Sequence, residues 1–434
     1  MNVSNFLDRI SRFVVDNPKI VKKIYKIPNY NDEPQLYNYS AQFIDGNSLK
    51  VSKDSIASGA SFLKNNALLK LIGETAERYS LSTYDRNVLV HKSFNQLVNN
   101  KEDVLDLFQL ALLPEFFGES KRETLKERKL SWIMGKSLIT DTKIMVPAQL
   151  VYVPYLYYKS EPILQLPIST GAAAGETIYD AIYRGICEVI ERDSFMIHYY
   201  NKLDSTQISL QSLRNKKISK IIRIFEKYNL ALCINDITTD INISTVVATV
   251  IDRTGMGPAV CVGLKAGFDI SQNVIGAIEE ALMVRSWVRD EYMYLRPKHT
   301  PPQIISSIED RAIFWYPKNA IHYLDFWLSK KKNNHPYKLY KLRHNSNQEK
   351  VRELIKIFAS KGYDVIYVDI TAPMIHKYGI KVIKVIIPQL QPLHLDEKYS
   401  YFTFSRLYNA PIDMGIAGKP KTLKELNNIP HPFL

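Results

Sequence analysis

The chain has only three cysteines in 434 residues, Cys187, Cys233 and Cys261. No two of them stand at metal-ligand spacing and all lie in apolar surroundings. That argues against a disulfide framework or a zinc site and fits a reducing cytoplasm. No apolar run approaches the roughly 20 residues of a membrane span. The opening MNVSNFLDRISRFVVDNPKI carries acidic residues and amphipathic spacing, without the h-region and small-residue cleavage site of a secretory signal. The phosphate-cradling pattern G-x4-G-K-[ST] is missing as well, so a nucleotide would have to be held by some other device.

What is present begins with an ordinary globular composition, 46% hydrophobic and 23% charged. The formal net charge of +13 allows acidic partners, but the lysines are spread along the chain. The densest basic run, KKKNNHPYKLYKLRH (Lys330 to His344), has the Asn and Pro content of an exposed loop. It lacks the aromatic–basic repeat of a nucleic-acid platform, so no nucleic-acid partner is expected.

Periodicity predicts a helix from about Ala60 to Leu81 and a strand over KIMVPAQLVYVPYL (Lys143 to Leu156). A second helix follows STGAAAGET, with Thr177 and Asp180 as its capping box. A hairpin is expected over Ser244 to Gly267, a third helix over Val274 to Tyr294, and a fourth near Glu349 to Ser360. Two late strands, DVIYVDI and KVIKVIIP, complete the pattern. The Pro- and Asn-rich segment Ile27 to Ser40 reads as an arm or linker. Strands and helices interleave without regular β-α alternation, which predicts an α+β (mixed α/β) fold and not a doubly wound sheet. The expected organisation is an N-terminal helix and arm (1–42), then one catalytic domain (43–434) ending in a Pro-rich tail (427–434).

Two stretches of the sequence carry one phrase. KLIGETAERYS begins at Lys70 and RGICEVIERDS at Arg184, and both spell cation-x3-Glu-x2-Glu-Arg-x-Ser. The offsets 184 − 70, 188 − 74 and 191 − 77 are all 114. On a helix, positions 0, +4 and +7 fall at about 0°, 40° and −20°, within one stripe. Lys70, Glu74 and Glu77 therefore form one line; Arg184, Glu188 and Glu191 form another. Around the second line Ile182, Tyr183, Ile186, Cys187, Val189, Ile190, Phe195 and Met196 cover most other directions, the mark of a buried helix. Buried carboxylates cost several kcal/mol each unless they are paired or bound to metal. Two acidic stripes facing each other would hold Mg2+ well, because Mg2+ seeks hard oxygen ligands and completes its shell with waters and substrate phosphates. Solvated i,i+4 ion pairs are the bland alternative for either stripe taken alone.

At these residues the chain resembles the YcaO family, and STGAAAGETIYDAIYRGICEVIERDSFM resembles that family's signature segment. The resemblance implies a YcaO-type fold of two pseudo-repeated, helix-bearing halves enclosing an ATP site, with ATP and Mg2+ as cofactors. It implies that Glu74, Glu77, Glu188 and Glu191 are the metal carboxylates. Lys70 stands where the family commonly has Ser, Arg184 where it commonly has Asn or Gln, and Leu81 at a position that is Arg in some members. In AIEEALMVRSW, Glu280 and Arg285 resemble a third nucleotide-proximal segment.

The ending NNIPHPFL, and VDITAPMIHKYGIKVIKVIIPQLQPLHL before it, resemble the azoline-forming cyclodehydratase branch, whose Pro-rich tail ends inside the active site. Pro430, Pro432 and Leu434 are then the catalytic-tail candidates; His431 is read as an inert surface residue. In that branch a Cys, Ser or Thr of a ribosomal precursor peptide attacks the preceding carbonyl. ATP then phosphorylates the resulting oxygen, and phosphate departs to leave a thiazoline or oxazoline. Thioamide or amidine formation and a non-catalytic scaffold remain the alternatives. With no evident leader-binding domain in the chain, the implied partner is an E1-like or ocin-ThiF-like protein that presents the leader peptide; a homodimer is compatible with this reading.

Overall fold

In the computed structural model, residues 12, 16, 21–43, 55–295, 304–328, 332–333 and 346–434 are described. The N-terminal amphipathic stretch (apart from Arg12 and Asp16), residues 296–303 and the basic run (apart from Lys332 and Asn333) lie outside them. The chain divides into two units. The first comprises residues 1–27, 37–189 and 344–390; the second comprises 28–36, 190–343 and 391–434.

The first unit contains an antiparallel sheet of β1 (Val21–Lys26), β2 (Tyr37–Phe43) and β3 (Ser55–Ser61). Helix α1 (Lys64–Ser82) packs on β3 and β2. It buries Ala67, Leu71, Ile72, Thr75, Ala76 and Tyr79, a stripe at three- and four-residue spacing. The helix comes so close that a Cβ on Gly59 would lie 2.3 Å from the Ala67 carbonyl oxygen, so only glycine fits there. A second sheet has the order β4 (Val90–Ser93), β5 (Lys129–Ser137), β13 (Ile366–Asp369), β14 (Lys381–Ile386), β7 (Ala172–Gly175), with β6 (Lys143–Pro147) also on β5. All of its pairings are antiparallel.

Helix α2 (Ile178–Tyr200) starts in the first unit and runs into the second. Its start is the expected capping box: Asp180 N–H donates to Thr177 Oγ1 (3.1 Å) and Thr177 N–H to Asp180 Oδ2 (2.9 Å).

The second unit is built on β11 (Val260–Ala266), β10 (Thr245–Ile251), β9 (Ala231–Asp236) and β8 (Thr206–Ile208), antiparallel in that order, with the short β12 (Lys332–Asn333) parallel to β8. Strand β10, TVVATVI, is buried along its whole length, as expected of a near-continuous apolar run. Helix α3 (Ile270–Leu295) lies on β11 and β10. A Cβ on Gly263 would stand 2.1 Å from the Ala277 carbonyl oxygen. Each unit thus repeats one device, a glycine in a strand that admits the backbone of the following helix.

The mixed α+β class is as expected, and so are the hairpin and the principal helices. Two readings change. Tyr37–Ser40, read as irregular, belongs to β2: its Ser40 is buried and donates to the Ala57 carbonyl (3.1 Å). The strand expected to reach Leu156 ends at Pro147, where a 3-10 turn begins.

Candidate functional site

In the first unit β7 is the floor of the acidic cluster. The main chain of Ala174 serves two of the expected residues: its N–H donates to Glu77 Oε1 (2.7 Å), and its carbonyl accepts from Arg184 Nη1 (3.2 Å). Glu74, one turn before Glu77 on α1, accepts from the Ser58 N–H (3.2 Å) and from Arg78 Nε (2.7 Å). Lys70 Nζ donates to the Ala60 carbonyl (3.0 Å). Burial raises the Glu77 carboxyl to about 7; Glu188 and Glu74 push the same way, against the Ala174 N–H and Arg184. Glu188, Glu74 and Arg184 thus all act on the Glu77 carboxyl through their charges.

Sequence reasoning missed Lys384. It is buried on β14, opposite Ala172 of β7, and its Nζ donates to the Ile168 carbonyl (2.5 Å). Burial lowers its pKa to about 8, opposed by the charge of Glu188. Lys381 and Lys384 both stand in the strand KVIKVI, so the sequence alone did not single Lys384 out.

The second unit holds the other expected carboxylates. Glu191 is buried, and its Oε1 accepts from Lys265 Nζ and from the Ala266 N–H, both at 3.0 Å. Glu280 Oε2 accepts from the Leu264 N–H at 2.6 Å. Three consecutive residues of β11 thus hold both. Arg192 Nη1 stands 3.5 Å from Glu191 Oε2, and its Nη2 is 4.0 Å from Glu280 Oε1. Burial raises the Glu280 pKa, Arg192 opposes this, and Glu191 adds to it. Arg285 is turned elsewhere: it is buried, with Nη2 on Asp252 Oδ2 (2.7 Å) and Nη1 on the Pro258 carbonyl (3.0 Å). It does not join Glu280, because five residues advance a helix by about 140° around its axis.

The Pro-rich segment lies in this unit and is largely buried. Pro432, His431 and Phe433 are buried; Pro430 and Leu434 are partly so. The Arg192 guanidinium lies 4.2 Å from the centre of the Phe433 ring. The segment therefore meets the side chain that also approaches Glu191 and Glu280. His431 is wholly buried and not at the surface as expected; burial first, then Arg311 and His394, hold its pKa well below the ordinary value.

Clustered carboxylates on main-chain N–H donors are a hard oxygen set, and Glu77 shows that burial and its neighbours disfavour its charged form. Carboxylate oxygens are the donor type that Mg2+ takes, and a bound cation would favour the charged form that burial disfavours at Glu77.

The sequence pattern described as "YcaO cyclodehydratase, ATP- and Mg2+-binding" matches residues 58–391. The chain belongs to the YcaO family, which that description gives as ATP- and Mg2+-binding. Among solved structures it is similar to a heterocyclase in complex with substrate and cofactor, with a TM-score of 0.79 and 20% identity over 100% of this chain and 58% of that one. It is also similar to YcaO from Methanopyrus kandleri bound with AMPPCP and Mg2+, at 0.67 and 16% over 92% of this chain and 94% of that one. The E. coli microcin synthetase McbBCD complex with pro-MccB17 bound is a third, at 0.57 and 14% over 85% and 88%. At these identities the likenesses show the fold, and the chain spans little more than half the length of the first heterocyclase. Among the described residues, no helix is long and apolar enough to cross a membrane.

Proposed function

We propose that the chain is a peptide cyclodehydratase that forms thiazoline or oxazoline rings from Cys, Ser or Thr of a ribosomal precursor peptide. The observation that carries this reading is the acidic cluster of Glu74, Glu77 and Glu188, with the Glu77 proton held to about 7. These three carboxylates are the proposed Mg2+ ligands, with Glu191 and Glu280 as further carboxylates for metal or nucleotide. Arg184 and Lys384 are cations suited to phosphate oxygens. Bound MgATP would supply the phosphoryl group that turns the former amide oxygen into a leaving group. The protein's share is then to hold the triphosphate and offset developing charge. Pro430, Pro432 and Leu434 belong to the segment proposed to border the reacting amide. A separate E1-like or ocin-ThiF-like protein would present the leader peptide.

The test is product mass in a reaction with MgATP, a precursor peptide and its partner protein. Loss of one water per modified residue is expected; exchange of oxygen for sulfur would replace this reading with thioamide formation. Shortening the chain before Pro430 is expected to lower turnover about 100-fold while changing MgATP affinity by less than about threefold.

Metal binding should also release protons. Because the folded Glu77 carboxyl titrates near 7, MgATP should displace about 0.9 proton at pH 6 and about 0.1 at pH 8. Calorimetry in two buffers of different ionisation enthalpy measures this, and equal release at both pH values would remove Glu77 from the metal.

A further inference from the structure

The second unit surrounds the Pro430–Phe433 segment with donors aimed at its main chain. Arg311, on helix α4 (Ile308–Trp315), is wholly buried. Its Nη1 donates to the His431 carbonyl (2.7 Å), and its Nη2 to the Leu395 carbonyl (2.7 Å) and Glu397 Oε1 (2.8 Å). The Pro430 carbonyl accepts from Tyr199 OH (3.1 Å) and from Trp315 Nε1 (3.2 Å). His431 Nε2 donates to the His394 carbonyl (2.7 Å), and Asn427 N–H to the Tyr200 carbonyl (2.7 Å).

Buried backbone must have every donor and acceptor met. Pro430 and Pro432 bring no N–H, so donors for the carbonyls are the main requirement there, and Arg311, Tyr199 and Trp315 supply them. His394, Glu397 and His431 also have ligand atoms within 4.8 Å of one another. Glu397 is bound by Arg311 and lies 3.2 Å from His394 Nε2, and His431 Nε2 donates to the His394 carbonyl, so these side chains tie the segment down by hydrogen bonds.

We propose that Arg311 is the positioning residue of the Pro-rich segment: a latch, closed on the His431 carbonyl, that keeps Phe433 beneath Arg192 and so sets Arg192 beside Glu191 and Glu280. Its consequence for turnover rests on the cyclodehydratase reading; the latch itself does not.

The first test is hydrogen–deuterium exchange of residues 427–434 in the full chain without nucleotide. Arg311→Gln is expected to speed exchange of this segment at least about tenfold, Arg311→Lys less, and Trp315→Phe, which loses one bond to Pro430, about threefold. Should Arg311→Gln fail to fold, the Arg311→Gln/Glu397→Gln pair removes the unpaired carboxylate, and Trp315→Phe with Tyr199→Phe tests the neighbouring bonds. Exchange unchanged in every folded variant would overturn the latch, and so would one zinc per chain that is lost in His431→Gln.

The second test is turnover with partner and peptide. Arg311→Gln should lower kcat with little change in KM for MgATP. In a chain shortened before Pro430 the same substitution should have no further effect. Additive losses would overturn the proposal. Exchange that depends on Arg311 in a protein that forms no azoline would keep the latch and reject the chemistry.

Discussion

Glu77→Gln is expected to bind MgATP about 100-fold more weakly, about 2.7 kcal/mol, and yet to resist urea better than the parent at pH 8. The two effects share one origin. The folded carboxyl titrates near 7 instead of 4.5, first because it is buried and then because Glu188 and Glu74 repel its charge. A carboxyl with a raised folded pKa supports the fold below its unfolded pKa and loses that support as pH climbs through the folded one. Stability due to Glu77 is therefore full near pH 4.5 and gone above about 7. Gln keeps an oxygen for the Ala174 N–H and carries no charge. The gain at pH 8 is expected to be about 1–2 kcal/mol after allowance for partial exposure, and to vanish near pH 5. Urea unfolding at both pH values and calorimetry with MgATP check the pair. A Glu77→Gln protein that binds MgATP like the parent would take Glu77 out of the metal site. The double variant Glu188→Gln/Glu191→Gln should lose measurable binding.

Arg406→Met is expected to destabilise the protein by about 3–5 kcal/mol. Arg406 is buried and reaches Asp193 Oδ1 through Nε (3.1 Å), Asp193 Oδ2 through Nη2 (2.9 Å) and Asp240 Oδ1 through Nη2 (2.7 Å). The Gln391 N–H adds a bond to Asp193 Oδ1 (2.7 Å). Removing the guanidinium leaves two buried carboxylates without their cation. Asp193 stands two residues beyond Glu191 on α2, so its anchor also fixes the rotation of that helix. The urea midpoint measures the loss; adding Asp193→Asn and Asp240→Asn should recover most of it. A loss below about 1 kcal/mol would mean that the carboxylates find other compensation.

The acidic cluster was legible because helical spacing projects a sequence repeat onto one line. Arg285 was placed by likeness to a family segment, which says nothing of its partners; in the structure Asp252, 33 residues away in sequence, holds its guanidinium. Lys384 and Arg311 were invisible because each looks like any other of the 57 Lys and Arg residues. Only long-range burial singles them out. Proximity to the end of the sequence suggested that His431 was exposed, but the donors that bury it come from segments far away in sequence. β2 was obscured because Asn38 and Ser40 are polar residues that the sheet buries.

Glu74, Glu77, Glu191 and Glu280 each take one hydrogen bond from a main-chain N–H, those of Ser58, Ala174, Ala266 and Leu264. A peptide N–H is the same whichever side chain it carries. Natural drift at these four strand positions can therefore proceed without disturbing how the acids are aimed, provided the pleat keeps its phase. A single inserted residue in β11 would undo what many substitutions leave intact, since it would exchange the strand's two faces beneath Glu191 and Glu280. Such a site is written in strand register more than in residue identity, and lineages can diverge widely while keeping it.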